Sequence, residues 1–115
     1  MHELSIAMSI VEVAEEEAER QGGLRVDAVH LRLGPLSGVL KESLLSCYGL
    51  ACENTPLEGS RLVIEEVPVV VYCPNCDQHR HVPSVQWFYC PECKTPTPDV
   101  VQGKELEVVA LEMQD

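Results

Sequence analysis

The sequence predicts an α+β fold in which two helices lie on a three-stranded, mixed sheet and a four-cysteine ribbon module is inserted before the last strand. Two segments repeat apolar residues every three or four positions, which is typical of amphipathic helices. Three other segments alternate apolar and polar residues, as half-buried strands do. A proline-rich segment has neither period and carries two Cys-x-x-Cys motifs. The 115 residues therefore suffice for one small domain with an attached module.

The first helix is predicted over residues 4–21, and the second is predicted to begin near Leu40 and to end near residues 54–56. Gly22 and Gly23 end the first helix, because glycine accepts the backbone angles that follow a helix. Pro56 limits the second, because the residue before a proline is disfavoured in a helix. The apolar stripe of the first helix comprises Leu4, Ala7, Met8, Val11, Ala14 and Ala18, and that of the second comprises Leu40, Leu44, Cys47, Tyr48 and Ala51.

Strands are predicted over residues 24–33, 61–67 and 105–113, and a glycine- and proline-rich turn follows the first. The chain between the first two strands is long enough for a parallel crossover that contains the second helix, so we expect a mixed sheet. The apolar positions of the last strand change phase between Val108 and Val109, which predicts a β-bulge there.

The cysteine-containing segment is expected to form a domain of its own over residues 68–100. It is inserted into an α/β domain made of residues 1–67 and 101–115. Residues 68–99 hold six of the eight prolines and have two basic residues against three acidic ones, so they are nearly neutral. The rest of the chain therefore carries most of the formal charge of −11.

Two Cys-x-x-Cys turns are separated by thirteen residues, and this spacing predicts a zinc ribbon. The ligands are Cys73, Cys76, Cys90 and Cys93. Four thiolates suit tetrahedral zinc and leave no position for a substrate, so the zinc is expected to be structural and to supply folding free energy. Rubredoxin-like iron carriers usually have glycine after each turn. Asp77 and Lys94 occupy those positions here, which favours zinc.

The side chains near these turns have alternative interpretations. His79 and His81 are expected to be solvated loop residues or donors to the zinc ligands, although His79 is close enough in sequence to replace a lost thiolate. The aromatic run 87–89 is expected to cover the zinc module or to pack it on the α/β domain. Stacking on nucleic-acid bases is the alternative, but no basic groove accompanies the run. Cys47 and Cys52 are expected to be small buried apolar residues.

Charge and hydropathy disfavour several classes of function. Eight basic residues against nineteen acidic ones repel phosphates and anionic lipid, so neither nucleic acid nor a membrane is an expected partner. No apolar run approaches the ~20 residues that cross a bilayer. A signal peptide begins with basic residues, but no basic residue precedes Arg20 here. With the Cys-x-x-Cys thiols, these features predict a cytoplasmic protein.

The first three residues, Met1, His2 and Glu3, have the groups to hold a second metal ion. The α-amino group, the His2 amide and the His2 imidazole form fused chelate rings, and the Glu3 amide or carboxylate completes a plane. Deprotonated amides with imidazole favour Ni(II) or Cu(II) in square-planar geometry. Met1 is expected to be retained, because the bulky His2 follows it. From the residues alone, the alternative is that His2 belongs to a frayed terminus, is solvated and binds no metal.

One series of motifs extends over nearly the whole chain. Met-His-Glu leads into an amphipathic helix, the first strand ends in Leu-Gly-Pro-Leu-Ser-Gly-Val at 33–39, and residues 54–68 lead to the paired Cys-x-x-Cys turns. This series resembles the HypA/HybF family, the nickel-insertion accessory proteins of nickel–iron hydrogenase maturation. Pro35 is a minor departure from the family pattern.

The resemblance implies a metallochaperone rather than an enzyme. It implies that Ni(II) is transient cargo, held by the Met1 amine, His2 and Glu3 with His2 essential, and that zinc on the four cysteines is structural. The implied partners are a HypB-like GTPase and the hydrogenase large subunit, and in some organisms a urease accessory protein. From the residues alone, a zinc-ribbon adaptor in transcription or translation and a dithiol redox enzyme are the alternative functions.

Overall fold

The computed structural model describes residues 2–82 and 86–114, and only the backbone of His2. Its elements form two three-stranded sheets, with strand orders β2-β1-β6 and β4-β3-β5. In chain order the elements are α1 (His2–Arg20), β1 (Arg25–Leu33), a short 3-10 helix (Pro35–Ser37), α2 (Lys41–Cys52), β2 (Arg61–Glu66), β3 (Val70–Cys73), β4 (Gln78–His81), β5 (Val100–Gln102) and β6 (Leu106–Gln114). Neither helix of this described chain has the length and apolar character needed to cross a bilayer.

The chain divides into two compact units. The helical unit comprises Met1–Arg32, Val39–Glu65 and Glu107–Asp115, and the cysteine unit comprises Leu33–Gly38 and Glu66–Leu106. The turn after β1 belongs to the cysteine unit, because the Leu36 N–H donates to the Gly103 carbonyl at 2.8 Å. That the two units are independent domains, one for each metal, stays a prediction.

A single apolar core joins both helices to β1 and β2 in the helical unit. Its fully or nearly buried members are Ala7, Ile10, Val11, Ala14, Ala18, Val26, Val29, Leu31, Leu44, Cys47, Tyr48, Cys52, Leu57 and Leu62. The prediction that Cys47 and Cys52 are buried is confirmed. The predicted stripe of α1 is wrong at its amino end, where Leu4 and Met8 are 37% and 57% exposed and Ile10 is buried instead.

Helix α1 ends in a Schellman turn. The Gly23 N–H donates to the Ala18 carbonyl at 2.9 Å, and the Gly22 N–H donates to the Glu19 carbonyl at 3.1 Å. Gly22 has φ 96°, a left-handed conformation that costs a glycine little. The glycine pair therefore ends the helix where the sequence predicts.

The first sheet is mixed, as predicted. The Val67 N–H donates to the Leu33 carbonyl at 2.9 Å, which joins the carboxyl ends of β2 and β1, so these strands are parallel. The Gly34 N–H donates to the Glu105 carbonyl at 2.8 Å, which joins the end of β1 to the start of β6, so that pair is antiparallel. Parallel pairing follows from the crossover through α2.

Strand β6 changes phase within its length. Val108, Leu111 and Met113 are half-buried against the core of the helical unit, whereas Val109 and Ala110 are both exposed. Strict alternation would bury one of these two neighbours. The predicted change of phase is therefore confirmed, and the β-bulge itself stays a prediction.

Candidate metal centre

The four predicted zinc ligands lie together in the cysteine unit. Their Sγ atoms are all within 4.8 Å of one another, and all are free cysteines. The Cys73 and Cys93 sulfurs are 3.6 Å apart, and the Cys76 and Cys90 sulfurs are 3.9 Å apart. Sulfurs at the corners of a tetrahedron around zinc, with bonds of about 2.3 Å, are about 3.8 Å apart. The sulfur positions therefore fit one zinc ion.

Each Cys-x-x-Cys turn is closed by a residue in the left-handed conformation. Asp77 follows the first turn with φ 54°, and Lys94 follows the second with φ 64°. The Cys76 N–H points to the Cys73 sulfur at 3.4 Å, and the Lys94 N–H donates to the Cys90 carbonyl at 2.8 Å. The backbone thus folds tightly enough to bring both sulfurs of each turn to one point.

The second turn favours the ionised form of its cysteines. The Cys93 sulfur lies 3.1 Å from the Thr95 hydroxyl oxygen, and hydrogen bonds from the Thr95 side chain and backbone lower the pKa of Cys93 to about 5. Hydrogen bonds from the backbone of Cys93 and of Glu92 lower the pKa of Cys90. Because zinc binds thiolates, both effects favour metal binding near neutral pH.

Arg80 interacts electrostatically with cysteines of both turns. The thiols of Cys76 and Cys90 raise the pKa of its guanidinium. The hydrogen bond from Arg80 lowers the pKa of Cys76, but hydrogen bonds with the neighbouring thiols and burial outweigh it, and this pKa rises to about 11. Hydrogen bonds among the clustered thiols thus favour the protonated form of Cys76. A divalent cation bound among the sulfurs favours the thiolates instead.

Arg80 and the two histidines of β4 lie on opposite faces of the β3–β4 hairpin. Val71 pairs with Arg80 and Tyr72 pairs with His79, so the two pairs project from opposite faces. His79 packs edge-on against the Tyr72 ring, with centroids 6.2 Å apart. Within the described chain, the metal-binding cluster contains cysteines alone. The expectation that His79 and His81 are loop residues is wrong, since both lie in β4, where both are exposed.

Sequence reasoning missed Arg80 and Thr95. Thr95 lies two residues after the last cysteine, and a hydroxyl at that distance is a signal that the sequence offers. Arg80 becomes recognisable only when β4 is known, because alternation along that strand then places it on the face of Val71. Both residues act on the sulfurs through hydrogen bonds.

Two rings of the aromatic run beside the second turn are exposed, and whether the run covers the zinc module stays a prediction. Trp87 and Tyr89 are 63% and 43% exposed, and their rings stack with centroids 6.2 Å apart. The Thr97 N–H donates to the Phe88 carbonyl at 2.7 Å. These backbone contacts hold the run in place while two of its rings face solvent.

The predicted nickel ligands lie only partly within the described chain. Met1 and the side chain of His2 lie outside it. Glu3 is described, in the first turn of α1. Its carboxylate accepts a hydrogen bond from the Leu40 N–H, with a nitrogen–oxygen distance of 3.4 Å. Leu40 is the residue that caps the start of α2, so Glu3 connects the starts of the two helices.

The donor set of the cysteine cluster determines what the centre can do. Four thiolates complete the coordination of zinc, so no position remains for a substrate or an activated water. Cys73 and Cys90 are fully buried, and the cluster sits where the two turns meet. A zinc ion held there crosslinks the turns and stabilises a segment with few apolar residues.

Comparison with known proteins agrees with this geometry. Residues 1–113 match the family model described as hydrogenase/urease nickel incorporation, metallochaperone, hypA. A hydrogenase maturation factor HypA from Roseiflexus sp. (strain RS-1) is 52% identical, covering 100% of this chain and 94% of that protein. A HypA from Chloroflexus aurantiacus is 49% identical, covering 97% and 98%.

Two solved structures share the fold. The solution structure of the Ni metallochaperone HypA from Helicobacter pylori superposes with a TM-score of 0.68 at 22% identity, covering 96% of each chain. A second solution structure of a HypA protein gives a TM-score of 0.74 at 23% identity, covering 99% of this chain and 97% of that one. The comparisons do not support a transcription or translation adaptor.

Proposed function

The chain belongs to the HypA family of hydrogenase and urease nickel-incorporation metallochaperones, and we propose that it carries Ni(II) on its first three residues and donates the ion during hydrogenase maturation. The proposed ligands are the Met1 amine, the His2 amide and imidazole, and a Glu3 donor. This set of nitrogens suits square-planar Ni(II). The four cysteines hold zinc and take no part in nickel transfer.

The start of α1 is the observation that carries the proposal. The helix begins at His2, and the first four N–H groups of any helix have no partner within it. Nickel can therefore take the amide nitrogens of His2 and Glu3 without breaking a hydrogen bond of α1. Binding and release then leave the core of the helical unit folded, as a donor of metal requires.

Glu3 has two groups to offer, and the proposal assigns them different roles. Its carboxylate accepts the hydrogen bond from the Leu40 N–H, so it is engaged at the start of α2. The Glu3 amide nitrogen is then the group available to complete the nickel plane. The carboxylate positions the terminus on the folded helical unit.

The proposed partners follow from charge and from the family. The formal charge of −11 and the exposed acidic residues of α1 suit a partner with a basic surface. We propose that a HypB-like GTPase and the hydrogenase large subunit are such partners, and that a urease accessory protein is another where urease is present. The protein acts as a carrier rather than an enzyme. Four cysteines that bind zinc as thiolates, without forming disulfides, suit a reducing compartment, so we propose the cytoplasm.

Nickel titration of protein with its native amino terminus tests the proposal. His2→Ala, and separately an extension of one residue before Met1, should each abolish nickel binding and leave one zinc per chain. His81→Ala is the matched control, because it removes an exposed histidine from β4 and should bind nickel as the wild type does. X-ray absorption on the nickel-loaded protein should show nitrogen ligands and no sulfur. Nickel affinity that survives both terminal changes would place the site elsewhere.

A further inference from the structure

Arg80 is placed by the fold on the sulfur side of the β3–β4 hairpin. It pairs directly with Val71, and Val71 and Cys73 are both fully buried. Directly paired residues of an antiparallel hairpin project from one face, and residues two apart along a strand share it. The side chains of Val71, Cys73 and Arg80 therefore lie on the same face of this hairpin.

The Arg80 guanidinium connects the two Cys-x-x-Cys turns. The thiols of Cys76, in the first turn, and of Cys90, in the second, raise the pKa of Arg80. The Nε atom of Arg80 is buried and has no hydrogen-bond partner among the described residues. A buried cationic donor without a partner costs free energy unless negative charge lies nearby. Four thiolates around zinc supply that charge, because together they carry a net charge of −2.

We propose that Arg80 is a positioning residue of the zinc centre, which donates hydrogen bonds to one sulfur of each turn and neutralises part of the charge of the zinc–thiolate cluster. Hydrogen bonds to a metal-bound sulfur withdraw electron density from it, so the sulfur is attacked less readily by protons and electrophiles. Arg80 thus makes the four-cysteine site a permanent zinc centre. This role is independent of nickel binding at residues 1–3.

Loss of zinc to a chromogenic chelator is the first test. Arg80→Met keeps the length of the side chain but removes its charge and donors, and should accelerate zinc loss about 10- to 100-fold. Arg80→Lys keeps the charge with a single donor group and should restore part of the retention. Lys104→Met is the matched control. It removes an exposed cation of the cysteine unit that lies outside both Cys-x-x-Cys turns, and it should lose zinc at the wild-type rate.

The visible spectrum of protein loaded with Co(II) in place of zinc is the second test. Removing hydrogen bonds from the sulfurs should move the sulfur-to-cobalt charge-transfer band to longer wavelength in Arg80→Met and not in Lys104→Met. Wild-type zinc retention and an unshifted band in Arg80→Met would overturn the proposal, as would equal effects of Arg80→Met and Lys104→Met. If Arg80→Met does not fold, Arg80→Gln, which keeps donors but no charge, replaces it, and wild-type zinc retention in that variant is contrary to the proposal.

Discussion

Gly34 and Gly103 are in direct backbone contact within the cysteine unit. A Cβ atom added to Gly34 would lie 2.1 Å from the carbonyl oxygen of Gly103 and 2.2 Å from its carbonyl carbon. The contact is held by two hydrogen bonds, one from the Leu36 N–H to the Gly103 carbonyl and one from the Gly34 N–H to the Glu105 carbonyl, each 2.8 Å long. No side chain fits between these two backbone segments.

Gly34→Ala should therefore destabilise the protein strongly. The added methyl group meets backbone atoms, which cannot rotate away as a flexible side chain can, so we expect a loss of at least about 3 kcal/mol in the free energy of unfolding. Denaturant unfolding measures it, followed by the fluorescence of Trp87, the single tryptophan, for the cysteine unit and by far-ultraviolet circular dichroism for the helical unit. In the control Gly49→Ala, the added Cβ has no atom within 4 Å, and helix propensity should stabilise α2 by about 0.5–1 kcal/mol. Equal stability of the two variants would contradict the contact.

Removal of zinc should unfold the cysteine unit and leave the helical unit largely folded. Both helices belong to the helical unit, so far-ultraviolet circular dichroism of Cys73→Ala should keep most of its helical signal while the Trp87 fluorescence changes. The control Cys47→Ala alters a buried cysteine of the helical unit and should retain zinc. Simultaneous loss of helical signal and tryptophan structure in Cys73→Ala would show that the units do not fold independently.

Lys94→Gly should stabilise the zinc-loaded protein by about 0.5–1 kcal/mol. Lys94 has φ 64°, a conformation that costs a residue with a Cβ more than it costs glycine. Thermal unfolding of the zinc-loaded protein measures the gain. Glu92→Gly, in the same turn, is the control and should destabilise, because Glu92 is not among the residues with positive φ. A loss of stability in Lys94→Gly would mean that its hydrogen bond to Pro91 outweighs the backbone cost.

Glu112 should make the stability of the helical unit depend on acid pH. Its carboxylate hydrogen-bonds the His30 ring at 2.6 Å and pairs with Arg61 at 3.3 Å. The hydrogen bond with His30, followed by the charges of Arg61 and His30, lowers the pKa of Glu112. Because the folded pKa lies below the unfolded one, this stabilisation is present above the unfolded pKa and is lost as pH falls through the folded one.

Glu112→Gln should therefore be less stable than the wild type at neutral pH, with a difference that shrinks as pH falls below the ordinary glutamate pKa of 4.5. Urea unfolding at a series of pH values measures it. The control Glu58→Gln removes an exposed carboxylate from the same unit and tests for a general effect of charge. If the difference between Glu112→Gln and wild type is the same at every pH, the pairing with His30 does not stabilise the fold.

Glu3→Gln should separate the two groups of Glu3. The amide side chain can still accept the Leu40 N–H, and the backbone nitrogen is unchanged, so nickel affinity should fall by less than tenfold, or about 1.4 kcal/mol. Isothermal titration with Ni(II) measures it, and His2→Ala provides the comparison with lost binding. A loss as large as that of His2→Ala would identify the Glu3 carboxylate as a ligand.

The ribbon strands show where sequence patterns fail. Strands β3, β4 and β5 have four, four and three residues, which is too short for an alternating pattern to emerge. Without β4, nothing in the sequence separates His79 from Arg80 as a neighbour of the sulfurs. The sequence did not predict the exposure of Trp87 either, because large aromatic side chains are buried on average.

The sequence by itself determined the two helices, the mixed sheet, the four clustered cysteines and the family, because periodicity, glycine positions and cysteine spacing are local properties of the chain. Tertiary structure alone decided that Arg80 lies on the Cys73 face of the β3–β4 hairpin and that Gly34 lies against Gly103. These contacts join residues that are distant in the chain or that differ only in which face of a strand they occupy. The physical reason is that pairing register and backbone packing depend on the whole fold, which no local pattern specifies.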